Sequence, residues 1–166
     1  MGAKSFAEST GMNTHEAQDF IDLYFARFPE IAQYAVRIKE FARLHGYVET
    51  MFGRKRFIPE INSHTPMIRA SAERIAVNHP IQGSSADIIK MAMVEIQDKI
   101  LQKTPSCRLL LQIHDELLFE CADDTIQSVA PRIRALMEHA CKLSVPLAVK
   151  ISAGKNWGEM FPILNT

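Results

Sequence analysis

Residues 107–121 read CRLLLQIHDELLFEC, and this stretch decides the fold class. It contains two apolar runs of strand length, separated by the polar residues His114, Asp115 and Glu116. Two such runs with so few residues between them predict an antiparallel β-hairpin with two adjacent carboxylates at its tip. Helical patterns precede the hairpin, and a helix and a third strand are expected after it. This order indicates an α+β fold.

Helical patterns dominate the first part of the chain. Residues 13–16 (NTHE) predict a helix start capped by Asn13 or Thr14. Pro29 ends this first helix and begins a second, which should end at Gly46 because glycine readily closes a helix in the left-handed conformation. Apolar residues at three- and four-residue spacing predict one apolar face on the first helix: Ala17, Phe20, Ile21, Tyr24, Phe25 and Phe28.

Proline residues are expected to end or kink the helices in the middle of the chain. Residues 47–58 predict a short hairpin or an extended loop. A helix is expected over residues 67–78, with Pro80 ending or kinking it, since proline lacks the backbone N–H of a helix interior. Residues 84–87 then predict the cap of a further long helix, which Pro105 closes.

Beyond the central hairpin, an amphipathic pattern over residues 125–143 predicts a helix. Residues 145–151 predict a third strand, with Pro146 near its start or on a sheet edge.

Charge and cysteine content restrict the function classes. The 19 basic and 19 acidic residues give a formal net charge of zero, whereas a free-standing DNA-binding domain is usually more basic. Cys107, Cys121 and Cys141 show no CxxC spacing, which predicts free buried thiols in a reducing compartment. No segment predicts a signal peptide or a membrane span, so we expect a cytoplasmic or organellar location.

The hairpin tip is the first candidate site. Asp115 and Glu116 offer carboxylate oxygens, which suit Mg²⁺, and two such ions can stabilise a phosphoryl transfer. An ordinary polar turn capped by Asp115 is the competing interpretation, since aspartate is common in turns. An unrelated metal-dependent nuclease would need further carboxylates converging on Asp115, whereas Asp123 and Asp124 lie beyond the strand.

Two further sets of polar residues suggest nucleic-acid contacts. Arg74 and Asn78 lie one helical turn apart, Gln82 follows, and such side chains can read the minor groove without strong sequence preference. Arg54 belongs to a short basic run, Arg54-Lys55-Arg56, that can bind phosphate. Taken alone, the first set is at least as well explained as a solvated helix face, and a short basic run is more often a solvated turn.

The order of these segments resembles one family. Residues 111–117 (LQIHDEL) are similar to motif C of family A DNA polymerases, the family of bacterial DNA polymerase I. Residues 46–56 (GYVETMFGRKR) resemble its fingers segment, and residues 69–74 and 78–87 resemble its entry into the palm. The resemblance extends over about 1–157.

The resemblance implies roles for individual residues. Asp115 matches the metal-binding carboxylate of motif C, Glu116 its supporting neighbour, and His114 a residue that contacts the primer end. Contacts near the primer–template minor groove and the nascent base pair are implied for Arg74, Asn78 and Gln82. The implied cofactor is Mg²⁺, with two ions in the intact enzyme, and the implied partners are primer–template DNA and deoxynucleoside triphosphates.

The resemblance also implies an incomplete enzyme. Residues 1–66 would form the C-terminal part of the fingers and residues 67–166 the C-terminal part of the palm. The second metal-binding aspartate, in motif A, has no counterpart here, nor do the thumb and exonuclease regions. We therefore expect this fragment to be inactive alone. A non-specific DNA-binding module and one half of a split polymerase remain alternatives. Expected partners include the missing N-terminal half or a second copy at an open sheet edge.

Overall fold

The computed structural model describes residues 2–163. It divides the chain into two units, Met1–Ile81 and Gln82–Thr166. The predicted α+β class is confirmed, since helical residues outnumber strand residues in both units and the strands form short antiparallel pairs.

The first unit opens with three helices: α1 (Ala3–Thr10), α2 (Thr14–Arg27) and α3 (Pro29–His45). The predicted start of α2 is confirmed. Asn13 Oδ1 accepts a hydrogen bond from Glu16 N–H at 2.9 Å, and the Glu16 carboxylate accepts one from Asn13 N–H at 3.1 Å. This reciprocal pair satisfies two donors that helix geometry would otherwise leave open. Helix α1 was not predicted, because its eight residues are too few for an apolar periodicity to be recognised in the sequence.

The apolar face predicted for α2 is present but mostly uncovered. Ala17 is the buried residue of this helix, and the Phe6 ring stacks on Phe20 with centroids 5.3 Å apart. Four aromatic side chains of the predicted face are nevertheless exposed: Phe20, Tyr24, Phe25 and Phe28. The periodicity predicted the helix correctly. It also implied a buried apolar face, but the described residues do not cover these aromatic side chains.

A short hairpin follows α3 in the same unit. Strands β1 (Tyr47–Glu49) and β2 (Lys55–Phe57) pair antiparallel, with Val48 opposite Arg56. Gly46 ends α3 at φ 76°, in the left-handed conformation that glycine adopts without a steric penalty. A 3₁₀ turn over Pro59–Asn62 leads to the next helix. The core of this unit consists of Ala42, Val48, Ile58, Ile61, Ala72 and Ala76.

The long helix α4 (Pro66–Lys99) corrects the prediction for the middle of the chain. Pro80 lies inside this helix, and the residues expected to cap a second helix, 84–87, are helical interior. Proline removes one backbone hydrogen bond, but buried side chains on both flanks offset that loss. Ala76 precedes the proline and Ile89 follows it, both buried.

Hydrogen bonds and ion pairs connect α3 to the first part of α4. Tyr34 donates its hydroxyl to the carbonyl of Val77 at 3.1 Å, and burial raises the pKa of that phenol. Glu73 accepts a 2.7 Å hydrogen bond from the Arg43 guanidinium and lies 3.4 Å from Lys39 Nζ. The Arg43 hydrogen bond, with help from Lys39, holds the pKa of Glu73 below its ordinary value of 4.5.

The Glu73 ion pairs predict an acid-dependent contribution to stability. Their contribution is complete above pH 4.5 and is lost as the pH falls through the lower pKa of the folded state. Glu73→Gln should therefore destabilise the protein by about 1 kcal/mol at neutral pH, with a smaller difference from wild type in acid. Urea unfolding at several pH values measures this difference. Glu40→Gln, an exposed change on α3, is the control. A difference that stays constant from pH 7 to acid would contradict the assignment.

In the second unit, the predicted central hairpin is confirmed. Strands β3 (Cys107–Ile113) and β4 (Glu116–Cys121) pair antiparallel, and helix α5 (Asp123–Glu138) follows. One face of the hairpin packs with α5 and the end of α4 around Ile96, Ile100, Leu101, Cys107, Val129 and Ile133. Arg132 ties α5 to α4 by donating to the Lys99 carbonyl at 3.1 Å.

A β-bulge interrupts β3. Leu109 pairs with Phe119 and Leu111 pairs with Leu118, so Leu110 has no partner of its own in the ladder. Leu110 and Leu111 are both about half exposed, at 46% and 49%. Beyond the bulge, Ile113 pairs with Glu116, which leaves a tip of only two residues, His114 and Asp115.

The predicted third strand over residues 145–151 is not a strand. Two-residue strands form farther on, with β5 (Ser152–Ala153) paired to β6 (Phe161–Pro162). Val149 N–H donates instead to the Glu138 carboxylate at 3.3 Å, which removes this donor from a strand ladder. Arg134 and this amide together lower the pKa of Glu138.

The cysteine prediction is corrected for two of the three residues. Cys107 and Cys121 lie opposite each other in the β3–β4 register and form a disulfide, whereas Cys141 is free. Composition alone could not reveal this pairing, because it depends on the strand register.

Candidate functional site

The tip of the β3–β4 hairpin presents three adjacent polar side chains to solvent. His114 and Asp115 form the two-residue turn, and Glu116 begins β4, with all three exposed. Gln112 supports the turn by donating its side-chain amide to the carbonyl of His114 at 3.1 Å. The strands behind the turn are anchored in the core through Leu109 and Leu117. The carboxylates are thus exposed at the end of a well-anchored hairpin.

His114 has an unusual backbone conformation. Its φ of 55° is the only positive value found at a non-glycine residue among residues 2–163. A positive φ at the first central residue alone is the φ pattern of a type II′ turn, where glycine is normally preferred. A side chain larger than glycine costs about 1 kcal/mol there. The one non-glycine residue with a positive φ among residues 2–163 thus lies at the tip where the sequence predicts a site.

The donor set at the tip suits a magnesium ion only in part. Carboxylate oxygens are the ligands that Mg²⁺ prefers, and exposure leaves room for the waters that it keeps. Within the described residues, however, no group of three or more His, Cys, Asp or Glu side chains is placed to hold a metal. The carboxylates at the tip thus suit Mg²⁺ in their chemistry, but among the described residues they are too few to hold the ion by themselves.

The candidate minor-groove residues all lie on α4. Arg74 and Asn78 are exposed and one turn apart in the first unit. Gln82 is exposed on the part of α4 that belongs to the second unit. The prediction placed a break between Asn78 and Gln82, whereas the helix is continuous there.

Arg54 lies in the turn between β1 and β2, and buried Thr50 orders this turn. The hydroxyl of Thr50 accepts hydrogen bonds from Phe52 N–H at 3.3 Å and Arg54 N–H at 3.2 Å. The neighbouring Lys55 packs 4.2 Å from the Tyr47 ring centroid, and Tyr47 is the main cause of its raised pKa. Thr50 was not singled out from the sequence, although a threonine shortly before a Phe-Gly turn is a recognisable sequence signal.

Comparison with protein families identifies the chain. The family model described as DNA polymerase family A matches residues 1–159. The chain belongs to DNA polymerase family A. The predicted resemblance is therefore confirmed, and it covers nearly the whole chain.

Individual relatives of this polymerase family agree. The chain is 43% identical over 159 residues to DNA polymerase I of Pseudomonas aeruginosa, covering 96% of this chain and 17% of that protein. It is 42% identical over 157 residues to DNA polymerase I of Deinococcus radiodurans, covering 95% and 16%. The thermostable DNA polymerase I of Thermus filiformis is 39% identical, with 96% and 19% covered. The chain thus spans about a sixth of the length of these curated relatives.

A solved structure of the polymerase family has the same fold. The POL domain of Pol1 from M. smegmatis, in complex with DNA primer–template and dNTP, superposes with a TM-score of 0.81 at 39% identity. The match covers 88% of this chain and 26% of that one. In the part of the chain that the structure describes, no helix is both long and apolar enough to cross a membrane.

Proposed function

We propose that this chain provides the motif C portion of a DNA-directed DNA polymerase that extends a primer by nucleotidyl transfer. The supporting observation is the exposed carboxylate of Asp115 at the tip of an anchored hairpin, in a chain of family A. In the reaction, the primer 3′-hydroxyl attacks the α-phosphate of a deoxynucleoside triphosphate and pyrophosphate leaves. Two Mg²⁺ ions, when bound, would stabilise the charge on the attacking and leaving oxygens.

The residues of this chain would take distinct roles in that reaction. Asp115 would hold metal, with Glu116 beside it, and His114 would contact the primer end. Gln82, Asn78 and Arg74 would each contact the primer–template duplex on its minor-groove side, where acceptors occur on every base pair. Arg54 would bind a backbone phosphate. The similar M. smegmatis domain is in complex with DNA primer–template and dNTP, which supports the choice of DNA and nucleotide as partners.

The subdomain assignment belongs to the same proposal. Residues 1–66 would be part of the fingers and residues 67–166 part of the palm, in a protein acting in a bacterial cytoplasm or an organelle. The exposed aromatic side chains of α2 and the strand edges of the β3–β4 pair would contact the remaining polymerase segments. A second copy of the chain is the alternative occupant of the strand edge. Light scattering after gel filtration distinguishes the dimer from the monomer.

We further propose that the 166-residue polypeptide does not extend primers by itself, because Asp115 is an incomplete metal site. The test uses this polypeptide and a chimera in which it replaces the matching segment of the Pseudomonas aeruginosa polymerase. We expect the chimera to extend primers and the isolated polypeptide not to extend them. Robust extension by the isolated polypeptide would refute its predicted inactivity. A folded chimera that binds DNA without extending it would refute the catalytic assignment.

A second candidate function, a non-specific DNA-binding module, is favoured by the exposed Arg74 and Asn78 on α4. In that case the isolated polypeptide should bind duplex DNA in a salt-dependent way without turnover. Fluorescence anisotropy at increasing salt concentration measures this binding.

A further inference from the structure

Cys107 and Cys121 occupy the open end of the hairpin whose tip carries Asp115. They face each other in the register with Cα atoms 4.0 Å apart. Cys107 N–H donates to the carbonyl of Thr104 and not to Cys121 on the opposite strand. Cys107 and Cys121 therefore fit a non-hydrogen-bonded pair of the antiparallel ladder. In such pairs the side chains of opposite strands approach most closely. The two thiols are therefore held side by side by the strand register itself.

We propose that Cys107 and Cys121 form a reversible redox site that closes the base of the hairpin under oxidising conditions. Disulfides that occur in reducing compartments are usually transient or regulatory. This proposal rests on the register and burial of the two cysteines, and it does not depend on the proposed nucleotidyl transfer.

Burial assigns different roles to the two sulfurs. Cys107 is only 3% exposed within the core of the second unit, whereas Cys121 is half-buried at the edge of that core. An external reagent reaches the more accessible thiol first. Cys121 is therefore the entry point, and Cys107 is the resolving cysteine.

The oxidant is a low-molecular-weight disulfide, such as oxidised glutathione. The Cys121 thiolate attacks one sulfur of the reagent, which forms a mixed disulfide and releases one thiol. The Cys107 thiolate then attacks the Cys121 sulfur, which forms the protein disulfide and releases a second thiol. The protons of the two cysteines pass to the two released thiolates, and two electrons pass from the cysteines to the reagent.

The disulfide changes the stability of the hairpin and leaves its fold unchanged. In the structure, which contains the disulfide, Leu109, Leu117 and Phe119 pack against the core of the second unit. These apolar contacts do not require the sulfur–sulfur bond, so they should persist after reduction. The bond links positions 14 residues apart, so it mainly restricts the unfolded chain. The melting temperature should rise on the order of 10 °C upon oxidation.

The test equilibrates the full 166-residue chain in glutathione buffers from fully reduced to fully oxidised. Acid quenching, alkylation and mass spectrometry then report each thiol, and calorimetry reports the melting temperature. We expect Cys107 and Cys121 to become protected together as the buffer is oxidised, with the rise in melting temperature. The Cys141→Ser variant should show the same rise. Unprotected Cys107 and Cys121 in the oxidised buffers, pairing of either with Cys141, or an unchanged melting temperature would overturn the proposal.

The single-cysteine variants test the entry route. Cys107→Ser should accumulate a glutathione adduct on Cys121, since the resolving thiol is absent. Cys121→Ser should leave Cys107 unmodified in the folded chain. An adduct on Cys107 that forms as fast as the one on Cys121 would overturn the assignment of roles. The wild-type chain, compared in its two redox states, tests the switch even if a variant fails to fold.

Discussion

Changing Asp115 to Asn in the chimeric polymerase is expected to lower kcat for primer extension about 1,000-fold or more. The change keeps the size and polarity of the side chain and removes the charge that would anchor metal. A loss on the order of 4 kcal/mol of transition-state stabilisation corresponds to that factor. Single-turnover primer extension at saturating nucleotide measures the chemical step. Because Asp115 is exposed and no core contact depends on it, the melting temperature should stay close to wild type.

Asp124→Asn is the matched control for this experiment. Asp124 lies in the first turn of α5, away from the hairpin tip, and is exposed. The same chemical change there should leave kcat within about twofold. Comparable losses for both variants would mean that Asp115 is not a metal anchor, and so would an unaffected Asp115→Asn enzyme. Either result would leave a polar turn as the better explanation of the tip.

Truncating Ile96 to Ala should destabilise the protein by about 3 kcal/mol. Ile96 is fully buried, at 0% exposure, in the core that supports the hairpin. Shortening a buried isoleucine to alanine removes apolar burial and leaves a cavity, which costs about 2–5 kcal/mol. Urea unfolding followed by circular dichroism measures the change. Because the hairpin packs on this core, amide exchange in β3 and β4 should also become faster.

Val94→Ala provides the control on the same helix. Val94 is mostly exposed, so its truncation should change stability by no more than about 0.5 kcal/mol. Equal losses at both positions would contradict the assignment of Ile96 to the core. Faster exchange in β1 and β2 but not in β3 and β4 would contradict its link to the hairpin.

Local signals predicted those parts of the fold that depend on near neighbours. The hairpin over residues 107–121 and the start of α2 at Asn13 were correct, because turn length and capping residues act over a few positions. The family resemblance was likewise confirmed, because segments resembling several of its motifs occurred in the right order. The roles assigned to the candidate site residues, Asp115 included, remain predictions.

Other features depend on contacts that lie far apart in the sequence. Pro80 was expected to interrupt α4, but buried residues on both sides favour a continuous helix. Residues 145–151 have the composition of a strand, yet Val149 bonds to Glu138 eleven positions away. The cysteine pair and the positive φ of His114 both follow from the strand register, which composition does not specify.

The bulge at Leu110 determines where strand β3 can lose a residue without a change in the pairing of the hairpin. Leu109 and Leu111 pair with consecutive residues of β4, Phe119 and Leu118. Omission of Leu110 would leave a regular ladder with the same two-residue tip. Omission of one residue elsewhere in β3 would exchange the inward and outward faces of the strand. Position 110 is thus the place where a gap in an alignment would be structurally neutral, and where related hairpins can differ in length while presenting the same aspartate.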